Sequence, residues 1–145
     1  MADVRPFRGL RYSPGIAGDL TDLICPPYDV ISPDAQIDLQ KASLHNAAHL
    51  ELPSGEGSDK YERAADTLSA WRRNGVLVRD TVPGYYIQRH RFSSHGRTLE
   101  RWGLTACVRL EEYERQVVLP HEETRSAPKE DRFKLLEECK LGISP

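Results

Sequence analysis

The stretch SDKYERAADTLSAWRRNGVLVR, residues 58–79, decides the fold class, because it joins a clear helix directly to a strand. Ser58 is a typical helix N-cap, and Gly75 is typical of the position just past a helix end. Between them, apolar side chains recur at the spacing of one helical face. These side chains are Tyr61, Ala65, Leu68 and Trp71. The stretch therefore predicts a helix over residues 59–74, followed by a short strand over residues 76–79.

Segments on both sides add further strands and helices. Ser32 as N-cap and Pro33 at the first helical position predict a helix that runs to about Ser43. Pro128 predicts the start of a final helix. Strand character is found in residues 4–12, 20–25, 47–52 and 116–120. Taken in order, these elements indicate a single α+β domain over residues 1–145, with a mixed β-sheet and about three helices.

A long β-hairpin is predicted next, with arms at residues 85–92 and 98–110 around a turn at residues 93–96. In the second arm, five side chains fall on one face at period two. We expect this face to pack in the core and Thr105 and Arg109 to point away from it. The five side chains are Trp102, Leu104, Ala106, Val108 and Leu110.

The composition excludes several classes of protein. The 145 residues are 39% hydrophobic and carry a net charge of −2. Because a general nucleic-acid coat needs a clustered basic surface, this charge makes nucleic acid an unexpected partner. No apolar run reaches membrane-spanning length, and the N-terminus lacks the apolar core of a signal peptide. The spacing of Cys25, Cys107 and Cys139 predicts neither a disulfide framework nor a zinc site, so a cytoplasmic location is expected.

The stretch LPHEETRSAPKEDRF, residues 119–133, concentrates polar side chains between a predicted strand and the final helix. A helix N-terminus offers free N–H groups and the positive end of a dipole, which suit an anion. Lys129 and Arg132 are three residues apart, so they can share one helical face and favour phosphate. The alternative is an exposed first turn with ordinary charges. In either case Arg132 is expected to be exposed and to contribute little to folding stability.

His121 and Glu122 in the same stretch are candidates for acid–base chemistry or metal binding. Zinc is not expected, because it needs at least three ligands and the usual His-Glu-x-x-His spacing is absent. A magnesium site needs only one or two carboxylates together with a substrate phosphate, so Glu122 qualifies for it. The alternative is a solvated loop.

The stretch ICPPYDVIS, residues 24–32, is the second candidate site. Its two prolines stiffen the chain, and a rigid turn is a good mount for Tyr28 and Asp29. The alternative is a plain connector in which Asp29 bonds to nearby backbone N–H groups. Cys25 has no evident histidine partner, so we expect it to be a buried thiol. Asn46 is a further candidate for a polar contact in the site.

Both stretches are polar, follow predicted strands and are not explained by folding alone. We therefore expect them to face one cleft. Some atom of the Tyr28 or Asp29 side chain should lie within about 10 Å of His121, Glu122 or Arg132, close enough for a shared ligand.

Five motifs appear in one order along the chain. They are VRPFRGLRY (residues 4–12), CPPYDVIS (residues 25–32), Asn46 with LELP (residues 50–53), GVLVRD (residues 75–80), and LPHE with KEDR (residues 119–122 and 129–132). In order and spacing they resemble a bacterial and archaeal family, the domain of unknown function numbered 1015. Members of that family are longer, so the resemblance implies that this chain is the N-terminal part of a longer family chain. His49 departs from the arginine implied at its position, so any anion-binding role of that arginine is not carried over.

The fold of that family looks similar to the ParB and sulfiredoxin superfamily, which includes nucleotide-hydrolysing partition proteins and free-serine kinases. The resemblance implies that nucleotide phosphates bind between a strand-end loop and a helix start, for which residues 119–132 are the counterpart. The superfamily's Glu-Asn-x-x-Arg phosphate motif is absent, so the nucleotide assignment rests on analogy.

The charge pattern and the resemblance together imply a nucleotide-dependent phosphotransferase, such as a small-metabolite kinase, or a nucleotide hydrolase. Mg²⁺ is the expected cofactor, held by Glu122 together with the nucleotide. The residues assigned to catalysis are Asp29, His121 and Glu122. Those assigned to the nucleotide are Thr124, Lys129, Asp131 and Arg132, and those assigned to the substrate are Tyr28 and Asn46. The alternatives are a non-catalytic nucleotide-binding or regulatory module and a structural domain that is inactive without a missing C-terminal part.

Overall fold

The structure, a computed structural model, describes residues 1–120 and 126–143. It divides into two compact units. Met1–Gly9 and Arg79–Glu123 form one, called here the hairpin unit, and Leu10–Val78 and Thr124–Pro145 form the other, called the helical unit. Within the described ranges, every helix is too short or too polar to cross a lipid bilayer.

The described residues contain six strands and five α-helices, which confirms the predicted α+β class. The strands are β1 (Val4–Arg5), β2 (Leu10–Tyr12), β3 (Leu77–Arg79), β4 (Tyr86–Ser94), β5 (Arg97–Thr105) and β6 (Cys107–Val108). The helices are α1 (Leu20–Leu23), α2 (Pro33–Ala42), α3 (Ala48–Glu51), α4 (Asp59–Arg73) and α5 (Ser126–Cys139), with 3₁₀ turns at Tyr28–Val30 and Tyr113–Arg115. We expected one mixed sheet, whereas these strands pair as three small two-stranded sheets, β1–β6, β2–β3 and β4–β5.

The core of the helical unit is built around α4, as its apolar stripe predicts. Leu68 and Trp71 of α4 are buried, and Gly75 ends the helix with a φ of 74°, which glycine adopts without strain. Ser58 occupies the N-cap position but makes no side-chain capping bond. The buried cluster consists of Ala17, Leu23, Leu50, Leu68, Trp71, Val76 and Leu77.

Two predicted strands, at residues 20–25 and 47–52, are wrong, because each segment forms a one-turn helix instead. The Asp19 carboxylate caps α1 by accepting a hydrogen bond from the Thr21 N–H at 2.8 Å. At the start of α3, the Asn46 side-chain oxygen accepts a hydrogen bond from the Ala48 N–H at 2.9 Å. These side-chain bonds satisfy backbone donors that a strand would pair with a neighbouring strand, so the short apolar pattern did not decide the structure.

Two further strand predictions need correction. Residues 4–12 form two short strands, β1 and β2, with residues 6–9 between them. Residues 116–120 are not a strand, because a 3₁₀ turn at Tyr113–Arg115 runs into Gln116 with a φ of 50°. A residue in the left-handed region interrupts the extended backbone that a ladder needs.

The predicted hairpin is confirmed as β4 and β5, which pair antiparallel from Tyr86 opposite Thr105 to Ser94 opposite Arg97. The second arm is shorter than predicted, because β5 ends at Thr105 and Cys107–Val108 forms β6, which pairs with β1. The hairpin turn is tighter than predicted. Only His95 and Gly96 connect the strands, with φ values of 49° and 73°, which are typical of a two-residue hairpin turn.

The prediction that one face of this arm packs in the core is wrong. Trp102 is 63% exposed, Leu104 61% and Leu110 95%; Val108 is also exposed, and Ala106 is half-buried. The period-two pattern identifies residues that share a face, but it does not reveal whether another element covers that face.

Replacing Leu104 with alanine should therefore change the free energy of unfolding by less than about 0.5 kcal/mol, as for an ordinary surface position. Denaturant unfolding of Leu104→Ala and of Leu68→Ala, a core truncation on α4, provides the comparison. Leu68→Ala should cost about 2–5 kcal/mol. Equal losses in the two variants would show that the hairpin face is covered.

Candidate functional site

A cleft of about 290 Å³ lies in the helical unit, beside α5. One part of its wall is polar and is formed by Tyr28, Glu51 and Arg132. The rest is mainly apolar and is formed by Leu135, Leu136, Leu141 and Ile143 with the backbone at Gly142. The cleft thus joins one of the two predicted site stretches, at residues 24–32, to the KEDR motif at the end of the other.

Arg132 is held from two sides by carboxylates. Its guanidinium donates to the Glu51 carboxylate at 3.0 Å and to the Glu51 backbone carbonyl at 2.9 Å. It also donates to the Asp131 carboxylate, at 3.2 Å from Nε and 2.6 Å from Nη2. The Arg132 side chain is only 22% exposed, so the expectation that it is exposed is wrong. The expectation that it contributes little to stability rested on that exposure. Four of the five guanidinium N–H donors are occupied by these bonds.

Tyr28 lies flat against this guanidinium. The Arg132 carbon Cζ is 4.2 Å from the centroid of the Tyr28 ring, a cation–π distance. The predicted proximity of residues 24–32 to the start of the last helix is therefore confirmed for this pair. Pro26 and Pro27 precede Tyr28, and the 3₁₀ turn at Tyr28–Val30 holds it in place, while Asp29 beside it is exposed.

Asp131 joins α5 to the first turn of α4. Its carboxylate accepts hydrogen bonds from Lys60 at 2.7 Å and from the Tyr61 hydroxyl at 2.8 Å, in addition to those from Arg132. Burial alone would raise the pKa of the Asp131 carboxyl, but the hydrogen bonds from Lys60, Arg132 and Tyr61 outweigh it and lower the pKa to about 2. Lys60, Asp131, Arg132 and Glu51 thus form a row of alternating charge.

Asp131 should make folding stability depend on pH in the acid range. Its folded-state pKa lies below the ordinary value of about 3.9, so its stabilisation is complete above that value. It is lost as the pH falls towards about 2. The free energy of unfolding, measured with urea at a series of pH values, should fall less steeply with decreasing pH over this interval for Asp131→Asn than for the wild type. Asp66→Asn, an exposed change on α4, is the control and should keep the wild-type slope, whereas an unchanged slope in Asp131→Asn would contradict the argument.

Asn46 is fully buried, and it binds the backbone rather than lining the cleft. Its side-chain nitrogen donates to the carbonyls of Asp22 and Ile24 at 2.8 and 3.1 Å, while its oxygen caps α3. Since α3 carries Glu51, Asn46 positions one wall of the cleft. His49, on the same helix, lies within hydrogen-bonding distance of the carbonyls of Gln40 and Ser43.

Of the remaining predicted site residues, one is described by the structure and three are not. Lys129 lies in the first turn of α5 and is exposed. The helix begins at Ser126, two residues before Pro128, which is earlier than predicted. Three predicted site residues, His121, Glu122 and Thr124, lie outside the described residues.

The sequence interpretation missed Glu51, Lys60 and Tyr61. Glu51 was visible as a charged residue within the apolar segment at residues 47–52, and it is buried in the structure. A buried carboxylate needs a cation, and that requirement points to a basic residue elsewhere in the chain. Lys60 and Tyr61 gave no local signal, because their partner Asp131 is about 70 residues away in sequence.

Cys25 was expected to be a buried thiol, and the structure places it half-buried, so that expectation is met only in part. Burial raises the pKa of the Cys25 thiol to about 11, and the Glu51 carboxylate adds to the rise. At neutral pH the sulfur stays protonated, so it is a poor nucleophile.

Among the described residues, no group of three or more His, Cys, Asp or Glu side chains is placed to hold a metal ion.

Comparison with known proteins gives one match. A family model described as "Protein of unknown function (DUF1015)" matches residues 4–145. No curated protein and no solved structure matches the chain.

Proposed function

From the premise that this chain belongs to the DUF1015 family of proteins of unknown function, we propose that it binds a nucleotide and acts as a nucleotide-dependent phosphotransferase or nucleotide hydrolase on a small metabolite. The observation that carries the proposal is the contact between Tyr28 and Arg132. It brings a rigid, polar turn and the first turns of a long helix to the same cleft. A cleft of this size matches the lower end of small-molecule sites, which span about 300–1,000 Å³.

Lys129 and Arg132 have different roles in the proposed phosphate site. Lys129 is exposed near the positive end of the α5 dipole, so it is the main cation for a phosphate. Arg132 keeps one N–H for a ligand, because Glu51 and Asp131 occupy the others. Those carboxylates fix its orientation, and pre-orientation of a guanidinium lowers the entropy lost on binding. Thr124 is assigned a further phosphate contact.

The proposed chemistry follows the requirements of phosphoryl transfer. The attacking hydroxyl must be aligned and must lose a proton, for which Asp29 and His121 are the assigned bases. Asp29 is exposed beside Tyr28, so a substrate at the polar wall of the cleft would be in its reach. Most of the rate would come from positioning and from stabilisation of phosphate charge.

Mg²⁺ is proposed to enter with the nucleotide. Magnesium is usually held by one or two carboxylates together with substrate phosphates rather than by a dedicated protein cage. Glu122 is assigned as the protein ligand.

The second candidate is a nucleotide-binding module without turnover. The occupied donors of Arg132 favour it, because an arginine tied to two carboxylates contributes less to a transition state than one that faces the phosphate alone.

A thermal-shift screen against ATP, ADP, CTP and GTP with Mg²⁺, followed by a turnover assay, distinguishes the enzyme from the non-catalytic binding module. A bound nucleotide should stabilise the protein by about 2.7 kcal/mol at a hundredfold excess over Kd. Phosphate release is then measured with the nucleotide that gives the shift. Turnover supports the enzyme, a shift without turnover supports the binding module, and no shift with any of the four rejects the nucleotide proposal.

A further inference from the structure

The β4–β5 hairpin is much more basic than the chain as a whole. It contains four arginines and one glutamate, whereas the 145 residues together carry a net charge of −2. The only acidic residue of the two strands is Glu100. An average over the chain therefore conceals a local cluster of positive charge.

The strand register divides these charges between two faces. On one face, Arg89 and Arg91 both pair with Glu100, at 2.5 and 3.0 Å. On the same face the Arg89 guanidinium covers the Trp102 ring, 5.4 Å from its centroid. This face is therefore partly neutralised by its own contacts.

The opposite face, called here the basic face, consists of the cross-strand pairs His90–Arg101, Phe92–Leu99 and Ser94–Arg97. No carboxylate of a described residue forms an ion pair with Arg97 or Arg101. Arg101 instead contacts the His90 ring at 3.1 Å. Phe92 lies between these cations and is 46% exposed. The basic face thus places an exposed aromatic ring between two arginines that have no carboxylate partner among the described residues.

We propose that the basic face binds single-stranded nucleic acid. Arg97 and Arg101 are four residues apart on β5, about 14 Å at ~3.4 Å per residue, so they would contact two phosphates on either side of a base at Phe92. Their charge is complementary to a polyanion. Phe92 would stack on an unpaired base, as aromatic residues do in proteins that bind single strands. A duplex offers the same phosphates but hides its base faces, so the exposed ring selects the single strand. The surface lies in the hairpin unit, and the inference is independent of the proposed nucleotide site.

The test is fluorescence anisotropy with a labelled oligothymidylate of about 20 nucleotides at about 50 mM salt. The wild type should bind, and its affinity should fall as salt is raised. Arg97→Glu with Arg101→Glu should weaken binding at least about tenfold. The corresponding double alanine variant should lower the slope of log affinity against log salt by about 1.4, or ~0.7 for each phosphate contact to a single strand. Phe92→Ala should weaken binding about five- to a hundredfold.

Two matched controls, with substitutions outside the basic face, test whether binding depends on that face. Arg72→Glu with Arg73→Glu makes the same change in net charge on exposed residues of α4, and Trp102→Ala removes the exposed ring of the other hairpin face. Both should bind like the wild type. All substituted side chains are exposed, so circular dichroism and unfolding midpoints should confirm that the variants fold.

Four results would overturn the proposal. They are no binding by the wild type at low salt, equal losses in the Arg72 and Arg73 control, equal affinity for a duplex of the same length, and concentration-dependent self-association through Phe92 without oligonucleotide binding. The last result would assign the surface to a second copy of the chain.

Discussion

Replacing Arg132 with methionine is expected to lower the free energy of unfolding by about 3–5 kcal/mol. The Glu51 side chain is only 9% exposed, and the variant removes the cation that faces it at 3.0 Å. Loss of this hydrogen-bonded cation removes a large part of the compensation for the cost of taking the Glu51 carboxylate out of water. Asp131 would lose one of its partners at the same time, while Lys60 and Tyr61 remain.

A double-mutant cycle isolates this effect. Glu51→Gln removes the charge that Arg132→Met leaves behind, so the double variant should be more stable than the sum of the single losses predicts. Arg91→Met, which breaks an exposed ion pair with Glu100, should cost at most about 1 kcal/mol. Strictly additive losses in the cycle, measured by denaturant unfolding, would show that Glu51 and Arg132 do not depend on each other.

Replacing Trp71 with alanine is expected to cost about 3–5 kcal/mol, as for a large aromatic residue in a core. Trp71 is 5% exposed, and its ring packs edge-on against His45 and His49 and tilted against Tyr12. Surrounding side chains relax only partly around a truncated core residue, so much of the cavity would remain.

The other tryptophan of the chain supplies the matched control. Trp102 is exposed on the hairpin, where it contacts Arg89, so Trp102→Ala should cost at most about 1 kcal/mol. Denaturant unfolding of both variants, followed by circular dichroism, measures the two losses. A larger loss for Trp102→Ala than for Trp71→Ala would reverse the assignment of core and surface.

The long elements were predictable because several local signals agree in each. In α2, the Ser32 side chain accepts a hydrogen bond from the Ala35 N–H, and Pro33 begins the helix, as predicted. In α4, the apolar stripe and Gly75 agree on the length of the helix. Agreement between capping, periodicity and a stop signal leaves few alternatives for such a segment.

The short elements were not predictable in the same way. Residues 20–25 and 47–52 are too short for periodicity to separate a strand from one helical turn, and capping by Asp19 and Asn46 decided the outcome. The prediction that one face of the hairpin is buried was wrong for another reason. Coverage of a face depends on contacts between distant parts of the chain, and a local pattern carries no information about them.

In the candidate site, too, features with a local signal were predictable and features set by distant contacts were not. Tyr28 and Arg132 were recognisable as polar residues at the ends of rigid or capped segments, and their proximity was predicted. The row of charges around them was not, because Glu51 and Asp131 obtain their partners from other helices. The LELP motif at residues 50–53 contains Glu51, and only the need of this buried carboxylate for a cation pointed to a contact with the last helix.

We propose that a nucleotide binds through its phosphates at the start of α5, where Lys129 is exposed and Arg132 lines the cleft. Calorimetric titration with the nucleotide and Mg²⁺ tests it most directly, on the wild type, on Lys129→Ala and on Lys134→Ala. Lys134 is an exposed lysine on the same helix that pairs with Glu130 at 2.8 Å, so it controls for the loss of one positive charge. We expect binding by the wild type and by Lys134→Ala, and a loss of about 1.5–3 kcal/mol of binding free energy in Lys129→Ala. No heat of binding with the wild type, or equal affinities for all three proteins, would contradict it.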